Sequence, residues 1–271
     1  MAGVTLDKRT HEPDRYGIHM VTEYQSLQTQ AAVIEAPFSD DLLYVKQESL
    51  QRRLARRTLD IALGLILAVI TAPVWLLAAL AVRLESEGNP FFVQTRIGLG
   101  GKPFKMIKLR GMYIDARQRF PHLYDYARFG GLNFHFHYEE DPRITRVGAF
   151  IRKTSIDELP NFLNVLMGTM TLIGPRPEIP DVLDLYGASK AEYLSVKPGV
   201  TCLSKITGRD RLTKGETIEI DLDYVRHACF RLDRSIFWRT LKGVMQCQDV
   251  FDGALMDGGI IDIESLEQNP D

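Results

Sequence analysis

The chain has 271 residues, 45% of them apolar and 25% charged, and its 33 basic side chains against 35 acidic ones leave a net charge of −2. That apolar content excludes disorder throughout, and the charge balance lacks the basic excess expected of a nucleic-acid binder. Cys202, Cys229 and Cys247 cannot pair completely and match no zinc spacing, which points to a reducing compartment.

Residues 1–50 read as a polar, partly disordered leader, with a helix start at Ser39-Asp40-Asp41 and no signal peptide. The next unit, 51–83, is a basic juxtamembrane segment and a membrane helix. Arg52, Arg53, Arg56 and Arg57 precede Ile61–Val82, 22 residues without a charge. About 20 apolar residues cross a bilayer, and flanking arginines mark the cytoplasmic side. Pro73 removes one helical hydrogen bond and favours a kink. On the physics, a simple spanning helix and a helix–break–helix returning to the same face stand level. A buried core helix fits less well, because the run lacks polar relief.

Residues 84–250 read as a mixed domain. Phe91–Val93 and Phe104–Ile107 are predicted strands of a hairpin turning at Gly98, Gly100 and Gly101. Helices are expected over 111–128, 155–167 and 180–195, a strand over 200–206, and mostly helix over 217–248. In that last segment Ile236, Phe237, Leu241, Val244 and Met245 share one side, facing the core by default or else lying on a membrane. Phe134–Tyr138 reads as a strand, and His135 with His137 makes no metal site without a third ligand. From Asp249 the chain carries seven acids and no Lys or Arg. Residues 251–271 therefore form an acidic tail expected to fray.

The densest chemistry lies between Asp141 and Glu178. Ser155-Ile156-Asp157-Glu158 has capping-box spacing, with Ser155 as N-cap and Glu158 reaching back to its amide. The same residues support a functional reading. Two carboxylates at a helix N-terminus stay ionised, an ionised aspartate is a nucleophile toward phosphorus, and a neighbouring glutamate holds Mg²⁺ on a pyrophosphate. Arg152 and Lys153 supply cations just upstream. In Gly174-Pro175-Arg176-Pro177-Glu178 two prolines stiffen the backbone around Arg176, suited either to gripping an anion or to a rigid connector. Lys108 and Arg110 share one face of a strand, where they meet a phosphate or form a solvated basic edge.

Taken together, these segments resemble the bacterial sugar transferases, the monotopic polyprenyl-phosphate phosphoglycosyl transferases that initiate surface polysaccharide and glycoconjugate synthesis. The resemblance runs from about Arg57 to Val250. It is carried by Arg57-Thr58-Leu59-Asp60, Pro90–Gly98, Gly101–Phe104, Lys108–Met112, Asp141–Gly148, Arg152–Pro160, Gly174–Glu178, Lys197–Thr201 and Thr207-Gly208-Arg209. It implies a single mixed α/β catalytic domain on a re-entrant helix, with amphipathic interfacial helices, at the cytoplasmic face of the bacterial inner membrane. It further implies transfer of a sugar-1-phosphate from a UDP-sugar to undecaprenyl phosphate, releasing UMP. In that scheme Asp157 is the nucleophile, Glu158 binds Mg²⁺, and Lys108, Arg110, Arg152 and Arg176 bind phosphate. The partners are then the two substrates and the bilayer, with no nucleic acid, and a homo-oligomer is left open.

Three departures stand out. The family's frequent Ser-Pro break is Ala72-Pro73, its Lys-Phe-Arg-Ser/Thr-Met segment is Lys108-Leu109-Arg110-Gly111-Met112, and its Gly-Leu-Trp-Gln stretch is Cys202-Leu203-Ser204-Lys205. A non-catalytic, membrane-anchored scaffold of a polysaccharide assembly system is the competing class. Such a scaffold need not retain the acidic pair that is intact here.

Overall fold

The computed structural model describes residues 49–124, 132, 134, 141–208 and 211–245. The helix start at Ser39, most of the leader, His135, His137, Arg209 and the acidic tail lie outside the described residues. A 36-residue helix, α1 (Leu50–Glu85), opens the described chain, capped by the Ser49 side chain, which accepts from the Arg52 amide at 3.3 Å. At 1.5 Å per residue it is about 54 Å long, enough to cross a membrane. It stays helical through Pro73. The break expected there is not a loss of helix, because proline forfeits only one backbone hydrogen bond and its neighbours hold the ladder.

One side of α1 packs on the domain along most of its length. Gly64 lies against Val165, Leu67 and Ala68 join the cluster around Phe162 and Met170, and Ala79 and Val82 pack with Leu109 and Ile151. The other side exposes Leu65, Ile66, Val69, Ile70, Leu76, Leu77, Leu80 and Leu84. Both ends are tied to the same domain. Near the start, Arg57 donates to the Val165 and Leu166 carbonyls (2.6 and 2.8 Å), and buried Asp60 accepts from the Thr171 hydroxyl (2.9 Å) and the Leu172 amide (3.0 Å). At the far end, the Glu85 carboxylate accepts from the Arg146 and Val147 amides (2.8 and 3.0 Å).

The predicted hairpin is present as β1 (Phe91–Ile97) antiparallel to β2 (Pro103–Leu109), in register from Phe91 opposite Leu109 to Ile97 opposite Pro103. Over 111–124 the expected helix is reduced to α2 (Ala116–Arg119) and a 3₁₀ turn at Pro121–Tyr124, and the rest of it, 125–128, lies outside the described residues. Met112 instead bridges Ile144, which holds the preceding segment extended. Next comes α3 (Arg146–Lys153), capped by Thr145, whose hydroxyl accepts from the Gly148 amide at 2.9 Å. Gly148 is required here, since a Cβ would come within 2.0 Å of the Gly111 carbonyl oxygen.

Helix α4 (Asn161–Met167) leads into β3 (Thr171–Ile173). Fully buried Asn164 locks α4 to β2. It accepts from the Ile107 amide (3.1 Å) and donates to the Lys105 carbonyl (2.7 Å) and the Thr169 hydroxyl (3.1 Å). The helix expected over 180–195 is divided into α5 (Pro180–Leu183), a 3₁₀ stretch and α6 (Lys190–Tyr193), with Gly187 at φ 52° turning the chain between them. Strand β4 (Gly199–Thr201) pairs parallel with β3. The strand expected over 200–206 gives way at once to α7 (Leu203–Thr207). The final expected helix is two, α8 (Lys214–His227) and α9 (Phe230–Met245). In α9, Leu232 and Ile236 are fully buried, whereas Trp238, Leu241, Val244 and Met245 are exposed. The core reading of that helix holds for its first half only.

Candidate active site

Asp157 and Glu158 lie in a 3₁₀ turn (Ile156–Glu158) between α3 and α4, not in the first turn of a helix. Ser155 produces that turn. It takes a left-handed conformation, φ 57°, which costs a non-glycine residue about 1 kcal/mol or more. Its side chain makes no capping bond, and the Glu158 carboxylate turns instead to Lys205. The capping-box reading of Ser155 and Glu158 is therefore wrong. Among the described residues a capping box is formed by Thr213 and Glu216, at the start of α8.

The structure brings Lys108, Arg152 and Lys205 close enough to Asp157 to act on its charge. Burial is the larger influence and, with the neighbouring Glu158, pushes the Asp157 carboxyl up to about 6. The three cations oppose that rise. The carboxyl is thus less acidic than an ordinary aspartate yet still largely ionised at pH 7, and the cations, not a helix terminus, oppose the rise. Lys108 is lowered to about 8, first by burial and then by Arg96, with Asp157 opposing. Arg152 and Arg176 also act on Lys108, which places all four phosphate-directed cations except Arg110 in one neighbourhood.

Arg110 does not join them. Strand β2 ends at Leu109, and the buried Arg110 guanidinium donates to the Ser86 carbonyl (2.9 Å) and hydroxyl (3.0 Å) and to the Glu87 carbonyl. It holds the carbonyls just past the C-terminal end of α1, where a cation is favoured.

A small, partly open cleft lies at the turn, lined by Glu158. Lys108, Glu158, Arg176, Lys205, Arg96 and Asn161 supply its polar lining, and Met106, Met170 and Val200 its apolar wall. Sequence reasoning missed Arg96, Asn161 and Lys205. Arg96 carried a weak signal, as the basic residue of a strand that pairs with the Lys105–Lys108 strand. Lys205 was visible only as an unusual residue, and Asn161 not at all. Asn161 lines the cleft, and its Oδ1 is buried without a hydrogen-bond partner.

Arg176 is presented by its backbone. Fully buried Asp221 accepts the Arg176 amide (2.9 Å), and the Tyr193 hydroxyl donates to the Arg176 carbonyl (2.8 Å). Asp221 also accepts from Tyr193 (3.1 Å) and the Ser204 amide (3.2 Å). The neighbouring Glu178 is deeply buried in an ion pair with Lys214 and accepts from the Tyr186 hydroxyl at 2.7 Å. Burial alone would raise Glu178, but Lys214 and Arg96 hold it below its usual range. Beside these, the strands close in: a Cβ on Gly199 would come within 2.1 Å of the Gly174 amide nitrogen. Arg176 is thus a cleft-lining cation on a clamped backbone, and Glu178 is part of the clamp.

Residues 51–247 match the family described as bacterial sugar transferase. The chain belongs to that family. Among its relatives, the UDP-glucose:undecaprenyl-phosphate glucose-1-phosphate transferase of Caulobacter vibrioides is 38% identical over 208 residues, 73% of this chain and 72% of that protein. The galactosyl transferase CpsE of Streptococcus agalactiae is 40% identical over 197 residues, 71% of this chain but 42% of that protein. A further UDP-glucose:undecaprenyl-phosphate glucose-1-phosphate transferase, from Escherichia coli, is 37% identical over 200 residues, 40% of its own length. The chain thus spans less than half of some relatives and most of another. The family match covers every residue of the cleft and the whole of α1 after Leu50.

Proposed function

We propose that this sugar transferase moves a sugar-1-phosphate from a UDP-sugar to undecaprenyl phosphate and releases UMP. The observation that carries the proposal is Asp157, a buried carboxylate whose charge Lys108, Arg152 and Lys205 offset, next in sequence to Glu158, which lines a cationic cleft. A carboxylate in that setting suits attack on a phosphorus whose oxygens the cations neutralise. An Asp157 oxygen bonds to the sugar-bearing phosphorus, and the bond to the UMP oxygen breaks, that oxygen keeping the electron pair. An oxygen of the lipid phosphate then attacks the same phosphorus, and Asp157 leaves as the carboxylate. Lys108 and Arg176 hold phosphate oxygens, and Arg152 stabilises Asp157 in its ionised form.

A magnesium ion fits the donor set. Glu158 and the orphaned Asn161 Oδ1 are hard oxygens on one cleft, and Mg²⁺ is commonly held by one or two carboxylates together with substrate phosphates. Such an ion would neutralise charge on the diphosphate. UDP-glucose and UDP-galactose are the first donors to test, given the relatives' names.

We further read α1 as a re-entrant element at the cytoplasmic face of the inner membrane. Its two ends grip one domain, so placing them on opposite sides of a bilayer would require the domain itself to cross. From Ile61 to Leu80 its free side is apolar, and the exposed Trp238, Leu241, Val244 and Met245 of α9 suit the interface. The test is UMP release by purified protein with Mg²⁺, undecaprenyl phosphate and a panel of UDP-sugars. Release that depends on the lipid and is lost in Asp157→Asn supports the reading, and silence across the panel with folded protein refutes it.

A further inference from the structure

Lys205 sits at the start of the cleft's far wall, on the five-residue α7, and its ammonium is in close contact with the Glu158 carboxylate. Both side chains are largely buried, at 11% and 20% exposure, so the pair is poorly screened by solvent. Glu158 is also the carboxylate of a cleft whose lining includes Asn161, with its orphaned Oδ1. A divalent cation and an ammonium therefore compete for the same oxygens.

We propose that Lys205 is a resident cation of this site, which occupies Glu158 before substrate arrives and which a divalent metal must displace in order to bind there. This rests on the reading of Glu158 as a metal-binding residue, but not on the identity of the sugar or on the transfer reaction. The consequence is an order of events. In the absence of diphosphate, Lys205 satisfies Glu158 and the metal binds weakly. When a diphosphate enters, its oxygens offer the ammonium other partners and the metal additional ligands. Metal and donor then bind together rather than one after the other. A site without a cation at position 205 would lack that competitor for the metal.

The test needs no turnover. The full-length, untagged protein in detergent is titrated with Mn²⁺ alone, and free Mn²⁺ is read by electron paramagnetic resonance. Lys205→Gln, which removes the charge and keeps most of the stem, is predicted to bind Mn²⁺ about tenfold more tightly than the parent, equivalent to about 1.4 kcal/mol. Lys205→Arg, which keeps a cation, is predicted to bind as weakly as the parent. Glu158→Gln combined with Lys205→Gln is predicted to lose the gain. Thermal unfolding of each variant establishes that it is folded. Equal affinity in the parent and folded Lys205→Gln overturns the proposal, as does no Mn²⁺ binding in either. UMP release by the parent, measured separately, reports on the reaction and does not depend on which of these results is obtained.

Discussion

The two shifted groups at the site predict a bell-shaped pH dependence whose limbs respond to one substitution. Asp157 must be ionised to attack, and its carboxyl titrates at about 6. Because that value is raised, activity falls as the pH drops through it. About nine tenths of the carboxyl is ionised at pH 7 and about one tenth at pH 5, so kcat/KM should drop about tenfold between them. Lys108 titrates at about 8, so the alkaline limb marks loss of a phosphate-binding ammonium. The limbs are macroscopic values of an interacting pair. Lys108→Met removes one member. The alkaline limb should vanish and the acid limb should move above 6, because Lys108 is the first of the cations that lower Asp157. The rate at the optimum should fall about 100-fold, the scale on which a charge-stabilising donor contributes. The assay is initial UMP release at subsaturating donor from pH 5 to 9. A profile flat between pH 5 and 7, or an acid limb unmoved in Lys108→Met, would refute the reasoning.

Other substitutions test the frame around the site. Asp157→Asn removes a carboxylate that is costly to bury in its ionised form. The variant should be about 1–3 kcal/mol more stable than the parent at pH 7, a difference that disappears below about pH 4, where the parent's carboxyl is protonated in both states; thermal melts at the two pH values measure it. Asn164→Leu removes the side-chain partner of the Ile107 amide and the Lys105 carbonyl, both part-buried, and should lose about 1–3 kcal/mol in denaturant unfolding, with a slope like the parent's. Gln51→Cys, in the first turn of α1, and Glu87→Cys, just past its end, put a thiol at either end of the helix. Neither should react with an impermeant maleimide added outside intact cells, and both should react after permeabilisation. Labelling of just one from outside would restore the spanning helix.

The sequence disclosed what is local or what breaks composition. The hairpin was legible because alternation and three glycines coincide within a few residues. The apolar helix was legible because 22 uncharged residues have few other readings. Asp157, Glu158, Lys108, Arg152 and Arg176 could be named as a set, and the structure brings them into one neighbourhood. What failed depended on distant partners. The start of the helix expected from 111 was lost to a bridge between Met112 and Ile144, and Arg110 was diverted by the carbonyls of Ser86 and Glu87, some 24 residues earlier. The left-handed Ser155 had no sequence signal, since capping-box spacing is common and φ is not encoded by spacing. Asp221, which fixes Arg176 through its amide, lies 45 residues away on another helix. Lys205 could be seen as unusual, but only packing showed that it meets Glu158.

The central claim is a covalent step at Asp157. The most direct measurement is intact-protein mass after incubation with a UDP-sugar that supports turnover, in the absence of lipid phosphate. A covalent mechanism predicts one sugar-phosphate adduct per chain, mapped to Asp157, with one UMP released per adduct, and neither in Asp157→Asn. UMP that forms only when donor and lipid are both present, with no adduct at any time, would contradict it.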